Sequence, residues 1–156
     1  MEFALVATPF LAILIAIIQT MIVFFAQRAL DEVASESSRL IQTGQAQTSG
    51  LTQTQFADLV CQHTVILFSC SNFMINIQSS PSFSSASPAT PTLQFDSNGN
   101  VTNNWSYQLG SPGDIVVLQL LYEWPVVLGP LNFTLANLAN GNRLLVSTNV
   151  FKREPY

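Results

Sequence analysis

The feature that most constrains this chain is a charge-free stretch at its N-terminal end. From Phe3 to Gln27 no residue carries a charge, and Glu2 and Arg28 bound the stretch. About 20 apolar residues in a helix cross the hydrocarbon core of a bilayer, so this stretch is long enough to span one. The alternatives are a buried helix of a soluble protein, which seldom holds more than about 14 consecutive apolar residues, and a cleaved secretory signal, which needs a basic start. The stretch therefore predicts a single-span membrane protein.

The helix is expected to kink inside this stretch and to continue beyond it. Pro9 removes one amide donor, which favours a bend near Thr8. After Arg28, apolar and polar residues each recur at helical spacing, so the helix has one face of each kind. The first face carries Leu30, Val33, Ser37, Leu40 and Ile41, and the second carries Asp31, Glu32, Ser35, Glu36 and Arg39. Since nothing breaks the pattern before Gly44, we expect one helix of roughly 40 residues, whose second part is an amphipathic stalk covered by the following domain.

The remainder of the chain predicts a small α+β domain with helices on one face of an antiparallel sheet. Thr52 is placed to cap a short helix that ends near Gln62, with Gln55 at the capping-box position. Period-two alternation and β-branched runs mark the strands. They cover residues 71–79, 92–96, 101–107, 114–124 and 143–151. We therefore divide the chain into an N-terminal transmembrane and stalk helix, residues 1–43, and a periplasmic α+β domain, residues 44–156.

Cys61 and Cys70 are the two cysteines of the chain and are candidates for a disulfide. A bond between them would close a loop of about ten residues and stabilise the domain by roughly 2.5 to 3 kcal/mol in the chain-entropy model. Two free buried thiols are the alternative. A disulfide persists in an oxidising compartment, which agrees with a domain on the export side of the membrane.

The sequence offers no pattern for catalysis or for binding a metal or a cofactor. His63 is the sole histidine, so a structural zinc site lacks ligands and a nucleophilic triad lacks a base; a surface histidine is the better interpretation. Asp114 and Glu123 stand at opposite ends of one predicted strand, too far apart to act as paired carboxylates. Five basic residues against nine acidic ones, without a basic run, argue against nucleic acid. We expect no enzyme, no cofactor and no small-molecule substrate.

Glu2 stands at the edge of the apolar stretch, where its charge needs an explanation. A carboxylate carried into lipid costs a few kcal/mol unless it is paired. Either Glu2 lies among the lipid headgroups, or it pairs with the α-amino group of a partner in an assembly of such helices. The residues themselves leave both interpretations open.

Five parts of the chain follow the order of landmarks in one known family. The first two are Glu2-Phe3-Ala4-Leu5-Val6-Ala7-Thr8-Pro9-Phe10 and Phe25-Ala26-Gln27-Arg28-Ala29-Leu30. The others are the spaced cysteines, then Gly113-Asp114-Ile115-Val116-Val117 with Tyr122-Glu123-Trp124-Pro125, and finally Phe151-Lys152-Arg153-Glu154-Pro155-Tyr156. In this order they resemble the TadE-like minor pseudopilins of the bacterial tight-adherence pilus. The resemblance covers essentially the whole chain.

The resemblance implies a pilin-like structural protein of the bacterial inner membrane with a periplasmic C-terminal domain. It implies that the glutamate matching Glu2, next to Phe3, pairs with the new N-terminus of a neighbouring subunit and sets the register. The family's basic leader and glycine cleavage position would precede Glu2, where this sequence has only Met1. The implied partners are other pseudopilins, the major pilin, the inner-membrane assembly platform and a prepilin peptidase. The implied role is to prime or support pilus assembly for adhesion and biofilm formation; the alternative is a membrane-anchored periplasmic binding domain outside any pilus.

Overall fold

A long helix lies beside a three-stranded antiparallel sheet in the computed structural model, which describes residues 2–64, 67–127 and 129–154, with residues 2–5 and 131 described by their backbone alone. The sheet order is β1-β2-β3. The elements are α1 (Glu2–Gln42), α2 (Gln45–Thr48), α3 (Gln53–Gln62), β1 (Phe73–Ser80), β2 (Ile115–Trp124) and β3 (Arg143–Lys152), with short 3-10 turns at Cys70–Asn72 and Pro130–Asn132. The predicted α+β class is confirmed. Pro155 and Tyr156, which the resemblance includes, lie outside the described residues, as does Met1.

Helix α1 has the length that the sequence predicts. It runs for 41 residues without interruption at Pro9. The bend expected near Thr8 stays a prediction. The helix stops shortly before Gly44, whose φ of 73° is a left-handed conformation that glycine adopts without steric cost. The division of the chain at residue 43 also stays a prediction.

The two halves of α1 differ in what surrounds them. We call residues 6–22 the lower half and residues 23–42 the upper half. The upper half packs on the sheet through a buried stripe made of Val23, Ala26, Ala29, Leu30, Val33, Ala34, Ser37 and Ile41. Glu32, Ser35, Glu36 and Arg39 on the opposite face are exposed. The prediction that the following domain covers the apolar stripe is confirmed.

The short helix α3 begins where the capping signal places it. The Thr52 hydroxyl accepts a hydrogen bond from the Gln55 backbone N–H at 3.3 Å, and the Thr52 N–H donates to the Gln55 side chain at 3.0 Å. This reciprocal pair satisfies two backbone donors that a helix start would leave free. Phe56 and Val60 on its inner face are fully buried and join the core beside the upper half of α1.

Strand β2 is the central strand, as predicted. It pairs with β1 from Phe73 opposite Tyr122 and with β3 from Arg143 opposite Trp124. Its residues from Ile115 to Tyr122 are all buried, because both faces of the strand are covered.

The face of β2 away from α1 is covered by the β1–β2 connection, which is fastened by a buried amide pair. Asn76 Nδ2 donates to Gln119 Oε1 at 2.9 Å, and the backbone N–H of Ser106 donates to Asn76 Oδ1 at 3.1 Å. Gln119 Nε2 donates in turn to the Ala89 carbonyl at 3.0 Å. A buried amide is costly unless it is hydrogen-bonded, and these bonds satisfy both side chains.

The predicted strands at 92–96 and 101–107 are wrong. Between them the structure has one isolated antiparallel bridge, Phe95 to Val101. The side chain of Asn103 binds backbone groups of the opposite segment: its Oδ1 accepts from the Gln94 N–H at 2.7 Å, and its Nδ2 donates to the Thr92 carbonyl at 2.9 Å. Because a side chain takes backbone groups that a partner strand would bind, the alternating pattern does not become a ladder.

Candidate membrane and assembly surface

The lower half of α1 is apolar and bare. Phe10 is 61% exposed and Ile17 is 49% exposed, and large apolar side chains surround the helix on most sides. The exposed set of the lower half comprises Val6, Phe10, Leu11, Ile13, Leu14, Ile15, Ile17, Ile18, Met21 and Ile22, and Phe24 and Phe25 extend it just past the boundary. Apolar area left in water costs about 25 cal/mol per Å², and a contiguous patch of this kind marks an interaction surface.

This helix has the length and composition of a membrane span. Within the described residues it is the one helix that qualifies, with a mean hydropathy of 2.5 over its most apolar window. Only 17% of that window is buried inside the protein, whereas the core helix of a soluble protein is mostly buried. The finding is consistent with a single-pass membrane protein.

The change from bare to buried helix takes place at Val23, about one turn before the charge-free stretch ends. Gln27 lies at this junction, and its Nε2 donates to the Val146 carbonyl of β3 at 3.0 Å and to Asp31 Oδ1 at 3.0 Å. The helix is therefore fastened to the sheet where the first charged residue, Arg28, appears. The sheet begins at the level where the polar headgroups of a bilayer would begin.

The residues predicted to act in assembly lie at the start of this helix. Glu2 and Phe3 belong to the first turn of α1. Their side chains lie outside the described residues, so the role predicted for Glu2 in setting the register stays a prediction. Pro9 lies inside the helix.

Cys61 and Cys70 form a disulfide. Their Cα atoms are 5.4 Å apart, and the bond joins the last turn of α3 to the 3-10 turn before β1. It therefore links a helix that covers α1 to an edge strand of the sheet. The prediction of a disulfide is confirmed.

His63 lies on the surface, where the sequence places it. Its Nδ1 is 3.3 Å from Glu36 Oε1 on the polar face of α1, and both side chains are well exposed to solvent. An exposed pair of this kind contributes at most about 1 kcal/mol. No group of three or more His, Cys, Asp or Glu side chains gathers within the described residues to hold a metal ion.

Asp114 and Glu123 stand apart at the two ends of β2 and have structural contacts. Asp114 Oδ2 accepts from the Ser111 N–H at 2.7 Å and closes the turn before the strand. Glu123 Oε2 accepts from Asn140 Nδ2 at 2.7 Å and from Asn142 Nδ2 at 3.2 Å. Both carboxylates therefore fasten loops to the ends of the sheet.

Sequence reasoning missed a polar cavity beside Glu123. It has a volume of about 660 Å³ and an amide-rich lining that includes Ser71, Asn72, Asn100, Glu123, Asn140 and Asn142. Four separate segments contribute to this lining, and no local motif in the sequence relates them. Its polar groups can exchange hydrogen bonds with a guest, but the lining contains no paired nucleophile and base.

Among the described residues of the domain, Tyr107 and Asp96 have shifted pKa values. Burial raises the pKa of Tyr107, whose hydroxyl donates to the Leu51 carbonyl at 2.9 Å. Hydrogen bonds from the backbone and side chain of Asn100 lower the pKa of Asp96. The first shift arises from burial and the second from hydrogen bonds that hold a turn in place.

The geometry defines a class of protein: an α+β domain packed on the upper half of a helix whose lower half is bare and able to cross a membrane. In a comparison with known families, residues 1–39 match the family described as TadE-like protein. The resemblance noted in the sequence is thereby confirmed over these residues. No curated protein and no solved structure matches the chain. The TadE-like segment suggests a protein associated with the tight-adherence pilus.

Proposed function

We propose that this chain is a minor pseudopilin-like structural component of a bacterial tight-adherence pilus, held in the inner membrane by α1 with its C-terminal domain in the periplasm. The observation that carries the proposal is that the family match includes the exposed half of α1. The TadE-like match, residues 1–39, covers the whole lower half of α1, which is bare, and most of the upper half, which the sheet covers. The family match therefore includes the surface that the protein leaves available to other molecules.

The lower half of α1 is the surface through which the protein would join related helices. Phe10, Ile13 and Ile17 point away from the protein's own core. Inside a bilayer, helices associate through side-chain packing and interhelical contacts, because lipid is as apolar as the side chains themselves. Lipid covers the lower half before assembly, and sister helices replace lipid in the assembled state.

Glu2 is the residue that would set the register of this packing. Its carboxylate would pair with the α-amino group of a neighbouring subunit, since a charge at the edge of lipid requires a partner. The partners are other pseudopilins, the major pilin, the inner-membrane assembly platform and a prepilin peptidase. The role is to prime or support pilus assembly, and through it adhesion and biofilm formation.

The periplasmic placement is supported by the disulfide between Cys61 and Cys70. Disulfides persist in the periplasm and are rare in the reducing cytosol. A structural rather than catalytic role is supported by Asp114 and Glu123, whose carboxylates fasten loops.

Site-specific photo-crosslinking in living cells tests this proposal. A photoreactive residue replaces Phe10 or Ile17 in the lower half of α1, and Phe83 serves as the matched control because it is 65% exposed but lies in the β1–β2 connection. We expect adducts with pilin-like proteins from Phe10 and Ile17 and none from Phe83. Adducts with lipid alone at both helix positions would instead support a membrane-anchored periplasmic binding domain outside any pilus.

Complementation tests the role of Glu2. Deleting the gene is expected to abolish or strongly reduce surface pili. The Glu2→Gln variant should fail to restore them, whereas Glu32→Gln, which removes an exposed carboxylate from the polar face of the same helix, should restore them fully. Normal piliation in the deletion strain would refute the proposed function.

A further inference from the structure

The connection between β2 and β3 is unusually apolar for a loop. No charged residue occurs from Trp124 to Asn142, although Glu123 and Arg143 flank this segment. Loops that run over a protein surface normally carry polar side chains, because water surrounds them. We call residues 125–135 the β2–β3 loop; the structure describes all of them except Leu128 and the side chain of Leu131. Their sequence, Pro-Val-Val-Leu-Gly-Pro-Leu-Asn-Phe-Thr-Leu, is mostly apolar, as the charge-free helix is.

The β2–β3 loop lies against the lower half of α1. Gln19 Nε2 donates a hydrogen bond to the Val127 carbonyl at 3.3 Å. The backbone at Gly129 comes so close that an added Cβ would lie 2.9 Å from Gln19 Oε1. Pro125 and Val126 line one cavity together with Val23. These contacts place the first part of the loop beside the helix segment that precedes the buried stripe.

The tip of the loop reaches further along the bare helix. Pro130 lines a cavity together with Thr8 and Ala12, and Phe133 lines another together with Ile17. At a rise of 1.5 Å per residue, Ala12 lies about 16 Å along α1 from Val23, where the buried stripe begins. The loop therefore descends well into the level of the helix that the proposed function assigns to the bilayer.

Several backbone polar groups of the loop are absent or have partners within the protein. Pro125 and Pro130 have no N–H group to satisfy. The Gly129 N–H donates to the Phe133 carbonyl at 2.8 Å, and the Phe133 N–H donates to the Pro130 carbonyl at 3.2 Å. The Val127 carbonyl has the Gln19 side chain as its donor. Backbone groups that enter a bilayer require such partners, since lipid offers none.

Gln19 is the residue that connects the loop to the span. It is a polar side chain inside the charge-free stretch, where an amide without partners is costly. The Val127 carbonyl supplies its Nε2 with an acceptor, whereas its Oε1 is buried without a hydrogen-bond partner among the described residues. Val127 itself is 74% exposed.

We propose that the β2–β3 loop is a second lipid-contacting element, inserted beside α1 into the bilayer with acyl chains as its partner. The inference rests on the proposed function, which places the lower half of α1 in the bilayer. The loop continues the apolar surface of the span, since Pro130 and Phe133 line cavities with residues of the lower half. The domain is then held on the membrane at two points, by the helix and by the loop.

Nitroxide labels on the full-length chain in phosphatidylethanolamine–phosphatidylglycerol vesicles test this inference. The variants Val127→Cys, Phe10→Cys and Phe83→Cys each add one free thiol, while the native cysteines are joined in the disulfide and do not react. All three positions are exposed, so the substitutions should leave the fold intact, and circular dichroism verifies this. Collision rates of each label with oxygen, which concentrates in lipid, and with a water-soluble nickel chelate are measured.

We expect the ratio of oxygen to nickel collisions at Val127 to be several-fold higher than at Phe83 and similar to that at Phe10. If Val127 resembles Phe83 while Phe10 is lipid-exposed, the loop inference fails and the membrane anchor stands. A label at Val127 that neither reagent reaches would show that protein covers the loop, and lipid would be excluded as its partner. An aqueous signal at Phe10 would overturn the membrane placement of α1, and the loop inference with it.

Discussion

The lower and upper halves of α1 form one continuous helix in opposite surroundings. Ile17 in the lower half is 49% exposed, whereas Leu30 in the upper half is fully buried. The difference lies in how apolar residues are distributed around the helix. The lower half is apolar on all sides, which suits a lipid or helix-bundle environment, and the upper half has a single apolar stripe that one sheet can cover. Helix formation is thus common to both halves, and the angular pattern of side chains decides what each half contacts.

The largest expected effect is a difference in unfolding free energy between matched substitutions in the two halves. Leu30→Ala removes a buried side chain from the contact between α1 and the sheet and should lower the free energy of unfolding by about 2 to 5 kcal/mol. Ile17→Ala, the matched change in the lower half, should leave it nearly unchanged. Chemical denaturation of the full-length chain in mild detergent, followed by near-ultraviolet circular dichroism, measures both. Equal destabilisation by the two variants would show that the lower half also belongs to the folded core.

The disulfide should stabilise the domain that covers the upper half of α1 and should not affect the lower half. Replacing both Cys61 and Cys70 by serine should cost roughly 2.5 to 3 kcal/mol of unfolding free energy, because the unfolded chain gains conformational freedom. Reducing the unaltered protein with a thiol should give the same loss. A nitroxide attached at position 10 (Phe10→Cys) of the double-serine variant should report an unchanged environment. A change there would contradict the independence of the two halves.

Tyr107 helps to cover α3 and the upper half of α1, so its hydroxyl should contribute to the unfolding free energy and to its pH dependence. Its ring lies 6.0 Å from that of Phe56, and its hydroxyl donates to the Leu51 carbonyl. Tyr107→Phe should cost about 1 kcal/mol at neutral pH, the usual net value of one hydrogen bond. The measurement is the same denaturation experiment.

The pH dependence follows from the raised pKa of Tyr107, which burial causes. A folded-state pKa above the unfolded value, about 10, means that the stabilisation is complete below that pH and is lost as pH rises through the folded pKa. The unaltered protein should therefore lose stability relative to Tyr107→Phe only in alkaline solution. The unfolding free energies of the two proteins should be compared up to about pH 11, roughly one unit above the reference pKa. If their difference stays constant over this range, the assignment is wrong.

The smallest expected effect concerns a polar residue inside the buried stripe of the upper half. Ser37 is 1% exposed, and its hydroxyl has no hydrogen-bond partner among the described residues. Ser37→Ala should raise the unfolding free energy by about 1 kcal/mol, because a buried unsatisfied hydroxyl is removed. Ser35→Ala, on the exposed face, is the matched control, since both changes gain the same helix propensity. An equal gain from both variants would show that burial of Ser37 is not the cause.

Local patterns predicted most of the regular structure. The helical spacing up to Ile41 and the glycine at Gly44 predicted the extent of α1, and the pair Thr52 and Gln55 predicted the start of α3. These features depend on residues at most a few positions apart, so the sequence displays them directly. The β-branched run before Pro125 predicted the central strand in the same way.

The alternating pattern between residues 92 and 107 led to a wrong prediction of two strands. Residues 92–96 and 101–107 alternate as strand residues do, yet the Asn103 side chain takes the Gln94 N–H and the Thr92 carbonyl, and the two segments form one antiparallel bridge, Phe95 to Val101. Alternation indicates which side chains can be buried, but it does not indicate whether a side chain will outcompete the partner strand for the backbone.

The sequence by itself determined that this chain has one apolar helix able to cross a membrane, that the helix continues as an amphipathic stalk, and that a small α+β domain follows. Periodicity and charge are sufficient for these conclusions. Only the tertiary structure decided that the β2–β3 loop descends beside the lower half of α1, through a hydrogen bond between Gln19 and Val127, which are 108 residues apart. Such a contact depends on how the sheet is placed on the helix, and that placement results from the packing of the whole core rather than from any local pattern.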